Sequence, residues 1–147
     1  LAAAEAASKR TQANPAASLW EVEVQGIHLG MPKAEAIAAA QAAGLEMASE
    51  TTFSKSEGDA TRMLDVTYGN DNSVQQVIYR VRGMNLFDIQ KEIRSAIDTY
   101  GEPSFPVSDF GQSATVQYKE ERETGRTTFD VKLTPHEKSL VLKAPKA

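Results

Sequence analysis

Residues 63–81 read MLDVTYGNDNSVQQVIYRV, two runs of alternating polarity on either side of a polar turn. In the first run Leu64, Val66 and Tyr68 fall on one side and Asp65 and Thr67 on the other, the period of a half-buried β-strand. Gly69, Asn70, Asp71 and Asn72 follow, residue types that tolerate positive φ or hydrogen-bond their own backbone. This spacing predicts an antiparallel hairpin in which VQQVIYRVR, residues 74–82, returns along the first strand. The turn is therefore structural, and the returning strand gathers Gln76, Ile78, Arg80 and Arg82 on its outer side.

The same period recurs downstream. ATVQYKE (114–120), RTTFDVKL (126–133) and KSLVLKA (138–144) read as three further strands joined by turns at ETG and TPHE. Val116, Tyr118, Phe129, Val131, Leu133, Leu140 and Leu142 supply an apolar face, while Gln117, Lys119, Asp130 and Lys132 alternate with them. Upstream, LWEVEVQ (19–25) alternates as well, with Trp20, Val22 and Val24 on one side, and predicts a strand ended by Gly26. Residues 45–53 read as an irregular strand, and SKSEGDATR (54–62) as a flexible connection rich in Ser, Gly and charge.

Two helices complete the pattern. PKAEAIAAAQAA (32–43) begins with a proline in its first turn and ends at Gly44, a residue suited to the left-handed closing position. Alanine lies nearly all round this helix, so small side chains let its backbone approach a sheet closely. The second helix is predicted to start from Asn85 as N-cap, with Asp88 as the capping-box acid and Met84 stapled to Ile89. Leu86, Ile89, Ile93, Ala96, Ile97 and Tyr100 fall within about a 100° arc, Phe87 lies outside it, and Gly101 with Pro103 stops the helix. A sheet apolar on one side and wet on the other takes helices on one face only, so the expected class is a two-layer α+β fold with an antiparallel sheet. Helix-then-strands occurs twice, over 32–82 and 85–143, as in an internal repeat.

Composition bounds the function. At 147 residues, folding buries roughly 70% of the unfolded chain's surface, enough for one core without metal or disulfides. Lys plus Arg is 16 against 20 Asp plus Glu, a formal charge of −4 with no basic stripe, which argues against a nucleic-acid partner. There is no cysteine, hence no thiolate metal site, redox pair or cysteine nucleophile, and no apolar run of membrane-spanning length. Residues 1–18 form an Ala-rich leader of the kind that follows a removed secretory signal, or a short helix over 2–10 ended by Pro15; the folded unit is expected over 19–147.

Two stretches carry a family resemblance. GIHLGMPKAEAIAAAQAAGL followed by LDVTYGNDNSVQQVIYRV, and IRSAIDTYGEPS followed by ATVQY and RTTFDVKL, resemble the helix-plus-sheet module of the SmpA/OmlA outer-membrane assembly lipoproteins and of the β-lactamase-inhibitor-protein-like (BLIP-like) fold. Gly30 and Met31 match the lead-in, Gly101, Glu102 and Pro103 the helix exit, and Asn70 to Asn72 the hairpin, over about residues 26–143, in halves 26–82 and 85–143. Gly44 departs from the pattern in lacking a proline two residues on, and each half shows one clear helix where inhibitor-like members have two. The resemblance implies an exported, periplasmic or secreted protein that works by binding another protein through its open sheet face or loops.

Catalytic chemistry finds no foothold. His28 and His136 are the only histidines and stand in no ligand-spaced cluster, so no metal site is expected. Asp65 with Asp71, and Glu120, Glu121 and Glu123, are the available carboxylate groups; the latter are interleaved with Lys119, Arg122 and Arg126 and read as a salt-laced turn. GNDN lacks the twelve-residue spacing of a calcium loop, and no phosphate-binding glycine loop occurs. The expectation is a non-enzymatic envelope-assembly or protein-binding module without catalytic residues or cofactor, meeting a protein partner through Ile78, Arg80, Arg82 and the aromatic Phe87. The alternatives are an inhibitor or immunity protein, favoured by an ordered, protruding 54–61 segment, and a small-molecule carrier with a cavity between helix and sheet.

Overall fold

The computed structural model describes residues 18–145. The expected leader therefore lies outside the described residues, apart from Ser18. The elements run α1 (Lys33–Ala42), β1 (Glu46–Met47), β2 (Thr52–Glu57), β3 (Ala60–Tyr68), β4 (Val74–Arg82), α2 (Ile89–Tyr100), β5 (Ser108–Asp109), β6 (Ala114–Arg122), β7 (Gly125–Thr134) and β8 (Glu137–Lys143). All eight strands of the described residues join one antiparallel sheet in the order β1-β2-β3-β4-β8-β7-β6-β5, and with the two α-helices described they make a mixed α+β fold. β4 and β8 meet at the centre, and the two-residue strands β1 and β5 form the edges.

The hairpin of residues 63–81 forms as its residues require. Leu64 pairs with Tyr79 and Val66 with Val77, all four buried. In the turn, Asn72 adopts φ +60°, and the Asp71 carboxylate accepts the Ser73 N–H at 3.1 Å and the Ser73 hydroxyl at 2.6 Å. The turn also receives α1. Asn72 O accepts the Lys33 N–H at 2.9 Å, while Gly30 N–H donates to Val74 O and Val74 N–H to Met31 O. One of the N–H groups that every helix start leaves unpartnered is thus satisfied by the hairpin.

One core unites both helices with the sheet. Ala36 and Ala40 of α1, and Ile89, Ile93 and Ala96 of α2, share a cluster with Phe53, Leu64, Val77, Val116, Phe129 and Leu142. α1 contributes only alanines to the fully buried set, the close approach expected of small side chains. α2 lies over β6 and β7, where Tyr100 meets the Phe129 ring edge-on at 4.7 Å and the Tyr118 hydroxyl donates to Gly101 O at 2.7 Å. Burial and the neighbouring Tyr100 push the Tyr118 phenol well above its usual range, which keeps that donor protonated.

Several expectations require correction. LWEVEVQ forms no ladder strand; Leu19–Glu21 make a 3₁₀ turn whose start is capped when the Ser18 hydroxyl accepts the Trp20 N–H. Glu120 takes the Leu19 N–H at 2.7 Å, and Gln25 (φ +53°) with Gly26 (φ +83°) folds Val24 back onto Ile27. The alternating apolar residues serve a strap, with Leu19 and Val24 buried and Trp20 Nε1 donating to the buried Thr127 hydroxyl at 3.0 Å. Residues 45–53 are a two-residue strand, a bend and the start of β2.

The expected flexible link 54–62 is likewise replaced by a hairpin, β2–β3, turning at Gly58 (φ +60°) and Asp59. Ladder bonds to β3, together with an Arg62–Glu57 pair at 3.2 Å, overcome the low strand preference of its residues. Finally, α2 starts later than expected. Asn85 sits at φ +52° with its N–H donated to His136 Nδ1 at 3.0 Å, and Gly83 and Phe87 N–H groups donate to His136 O and Pro135 O. The connector is tied to the β7–β8 turn, so Asp88 becomes the N-cap and accepts the Lys91 N–H at 3.2 Å. Met84 stays 79% exposed rather than stapling to Ile89, and Leu86 is 39% exposed.

Phe129 is fully buried, 0% exposed, between α2 and the sheet. Phe129→Ala is expected to cost about 3–5 kcal/mol by the loss of buried surface and the cavity left behind. Urea unfolding followed by circular dichroism checks this; a loss below about 1 kcal/mol would contradict the packing described.

Candidate functional site

The face of the sheet turned away from the helices is built by register alone. On β4, Ile78 stands between Asp65 of β3 and Val141 of β8, Arg80 between Met63 and Ser139, and Arg82 between Thr61 and Glu137. On β7, Asp130 lies opposite Val141 and Gln117, and Lys132 opposite Ser139 and Thr115. Met63, Ile78 and Val141 therefore form a partly exposed apolar strip crossing the centre of the sheet. Around it stand Arg80, Arg82, Lys132 and Lys143 against Asp65, Asp130 and Glu137, a local basic excess on a chain whose formal charge is −4.

The two arginines expected at a partner site are brought together by one carboxylate. Glu137 Oε1 lies 3.2 Å from Arg82 Nε, and Oε2 lies 3.9 Å from Arg80 Nε. Ser139 donates its hydroxyl to the same carboxylate at 3.0 Å. These partly exposed pairs fix orientation more than they add stability. Each guanidinium carries five N–H donors, and the contacts to Glu137 engage Nε of each. Phe87 does not join this group: it is half-buried on the connector into α2, its N–H bonded to Pro135 O.

Asp130 is a carboxylate that reading from sequence does not single out. Burial pushes its carboxyl above the ordinary aspartate value, against the opposing pull of Lys132 and Lys143 and a hydrogen bond from Gln117. Strand alternation places Asp130 on the outer face; only the order β4-β8-β7 puts it beside the apolar strip.

The remaining candidates have local roles. His28 Nδ1 lies 2.9 Å from Leu29 O and so carries its proton there, while His136 Nδ1 accepts from Asn85. Asp65 and Asp71 fall on different parts of the hairpin, a strand and its turn. Hydrogen bonds from the Ser73 hydroxyl and N–H hold the Asp71 carboxyl below its usual value. Glu120 is pushed up by burial, yet the Leu19 N–H, Arg122 and Ser18 outweigh this and lower it. Glu121 pairs with Arg126 at 2.8 Å and with Lys119 at 3.5 Å. No grouping of three or more His, Cys, Asp or Glu able to hold a metal occurs among the described residues.

An open cleft of about 440 Å³ lies at the end of β2 and β3, lined by Thr51, Thr52, Asp65, Val66, Thr67 and Tyr68. No described helix is long and apolar enough to cross a membrane. No family model, curated protein or solved structure matches the chain.

Asp130 yields a pH-dependent expectation. Because its folded-state pKa is raised, the folded protein holds this carboxylate charged at a cost at neutral pH; the cost declines as pH falls through that raised value and is gone below the ordinary aspartate value of the unfolded chain. Asp130→Asn is therefore expected to raise the melting temperature at pH 7, with the difference shrinking toward zero as pH drops below 4. Thermal melts of both proteins across that range check it; a stabilisation that persists unchanged at pH 3 would contradict the cause given.

Proposed function

We propose that this chain is an exported, non-enzymatic protein-binding or envelope-assembly module whose open sheet face receives a protein partner. What carries the reading is the apolar strip of Met63, Ile78 and Val141, set in register and rimmed by Arg80, Arg82, Lys132 and Lys143 with no described helix over it. Apolar centres with charged rims, enriched in arginine, are the usual anatomy of a protein interface. The basic excess selects an acidic partner surface and speeds encounter with it.

The resemblance to the SmpA/OmlA module and the BLIP-like fold belongs to this proposal. Its support is the element order: α1 followed by β1 to β4, α2 followed by β5 to β8, with strand order reversing about the β4–β8 pair. An internal duplication produces that order directly. The inhibitor reading draws on residues 54–61, which are ordered; yet Thr61 already pairs with Arg82, leaving the hairpin tip little reach as a plug. A carrier would need space beneath α1, where Ala36 and Ala40 are fully buried.

The test is co-purification of a tagged chain from the envelope of the cells that make it. Arg80→Glu with Arg82→Glu is expected to reduce recovery of the partner at least about tenfold while leaving the melting temperature within a few degrees, since the pairs to Glu137 are partly solvated. Recovery equal to that of the unmodified chain would remove the proposal.

A further inference from the structure

The largest exposed apolar side chains lie elsewhere than on the open face. Among the described residues Phe110 is 81% exposed and Met84 79%, and with Leu86 (39%) they occupy connections at one end of the sheet, whereas Met47 (43%) lies on β1 and Phe105 (40%) between α2 and β5. This is the end where β4 leads into the α2 connector, β7 turns into β8 and β5 turns into β6. Single exposed apolar residues are ordinary, but several aligned along one end mark an interaction surface.

Their presentation is rigid. Asp109 Oδ1 accepts the Gly111 N–H at 2.9 Å and Phe110 N–H donates to Ser113 O at 2.9 Å, which fixes a tight turn with Gly111 at φ +86°. Gln90 on the first turn of α2 donates to the other Asp109 oxygen and docks this turn on the helix. On the other side Leu86 rests against Gly83 so closely that a Cβ there would lie 2.6 Å from Leu86 Cδ1 and 2.8 Å from Asp59 O. His136 holds the intervening residues. An anchor already held in place loses little entropy on binding.

Charge and span narrow the occupant. Asp59, Asp88 and Asp109 are exposed at the same end and none pairs with a cation among the described residues; of the exposed cations there, Arg82 is held by Glu137 and Lys91 stands alone, so negative charge is in excess. Such an edge repels anionic lipid headgroups and favours a basic partner. β4 and β5 are four strand spacings apart, about 19 Å at roughly 4.8 Å each, too wide for a small ligand to bridge and well within one protein interface. We infer that this end of the sheet is a second docking surface, for a protein that receives Phe110, Met84 and Leu86 in apolar pockets ringed by basic side chains.

The experiment uses the full chain with a photo-crosslinking amino acid at position 110 or, separately, at position 78, in the cells that make it. The protein joined at position 110 is identified, purified and titrated against the unmodified chain. Phe110→Ser is expected to weaken binding at least about tenfold with an unchanged melting temperature. Asp59→Lys is expected to weaken it and to flatten its decline with added salt. Met84→Ser provides an independent check at the other side of the surface. Phe105→Ser, at an exposed aromatic beside Lys119 and away from this end of the sheet, is the matched control and should leave the titration unaltered. Absence of a protein adduct at position 110, an adduct to lipid or to a second copy of the chain, or binding unaffected by Phe110→Ser would overturn the inference.

Discussion

Everything in this structure depends on the pairing of β4 with β8. Each half of the chain supplies four strands, and this antiparallel contact is where they become one sheet. On the helix side it sets Val77 opposite Leu142 and Tyr79 opposite Leu140, so the core runs unbroken from α1 to α2. On the other side it sets Ile78 opposite Val141 and Arg80 opposite Ser139, which creates the apolar strip and its rim. Because side chains alternate strictly along a strand, slipping this register by one residue would exchange the two sets and bury arginine.

The remaining contacts protect that arrangement. Residues 18–32 strap the helix side, tied down at Glu120 and Thr127, and cover apolar surface that neither short helix reaches. The two-residue edge strands limit the unpaired backbone offered for aggregation. The connector 83–88 is fixed to the β7–β8 turn by hydrogen bonds from its backbone N–H groups, one of them to the His136 imidazole, rather than by apolar burial. That choice leaves Met84 and Leu86 exposed, and the same end of the sheet carries Phe110 on a rigid turn. Folding and the proposed binding thus draw on different surfaces of the molecule.

Much of the fold was legible from local pattern. The strands of 63–82 and 114–143, the hairpin turn at Asn72 and the closing glycines at Gly44 and Gly101 follow from period-two alternation and positive φ, which are properties of the chain itself. Failures arose where a distant group decided the outcome. Alternation in 19–25 read as a strand because Glu120, about a hundred residues away, cannot be seen as a partner for Leu19 from sequence. Asn85 read as a cap because its competitor, His136, lies 51 residues on in sequence, in the β7–β8 turn. Ser and Lys in 54–57 read as a loop because ladder bonds, not side-chain preference, hold β2. The arginines at 80 and 82 were visible; their shared Glu137, and Asp130 beside the strip, required knowledge of strand order.

Since the chain has no cysteine, the central pairing can be tested by a clean covalent probe. Ile78→Cys with Val141→Cys places two thiols directly across β4 and β8. Mild oxidation of the folded double variant is predicted to yield an intramolecular disulfide in high yield, with the far-ultraviolet circular dichroism unchanged. Failure to form it without prior unfolding, or its formation only between molecules, would contradict the single eight-stranded sheet and the open face it builds.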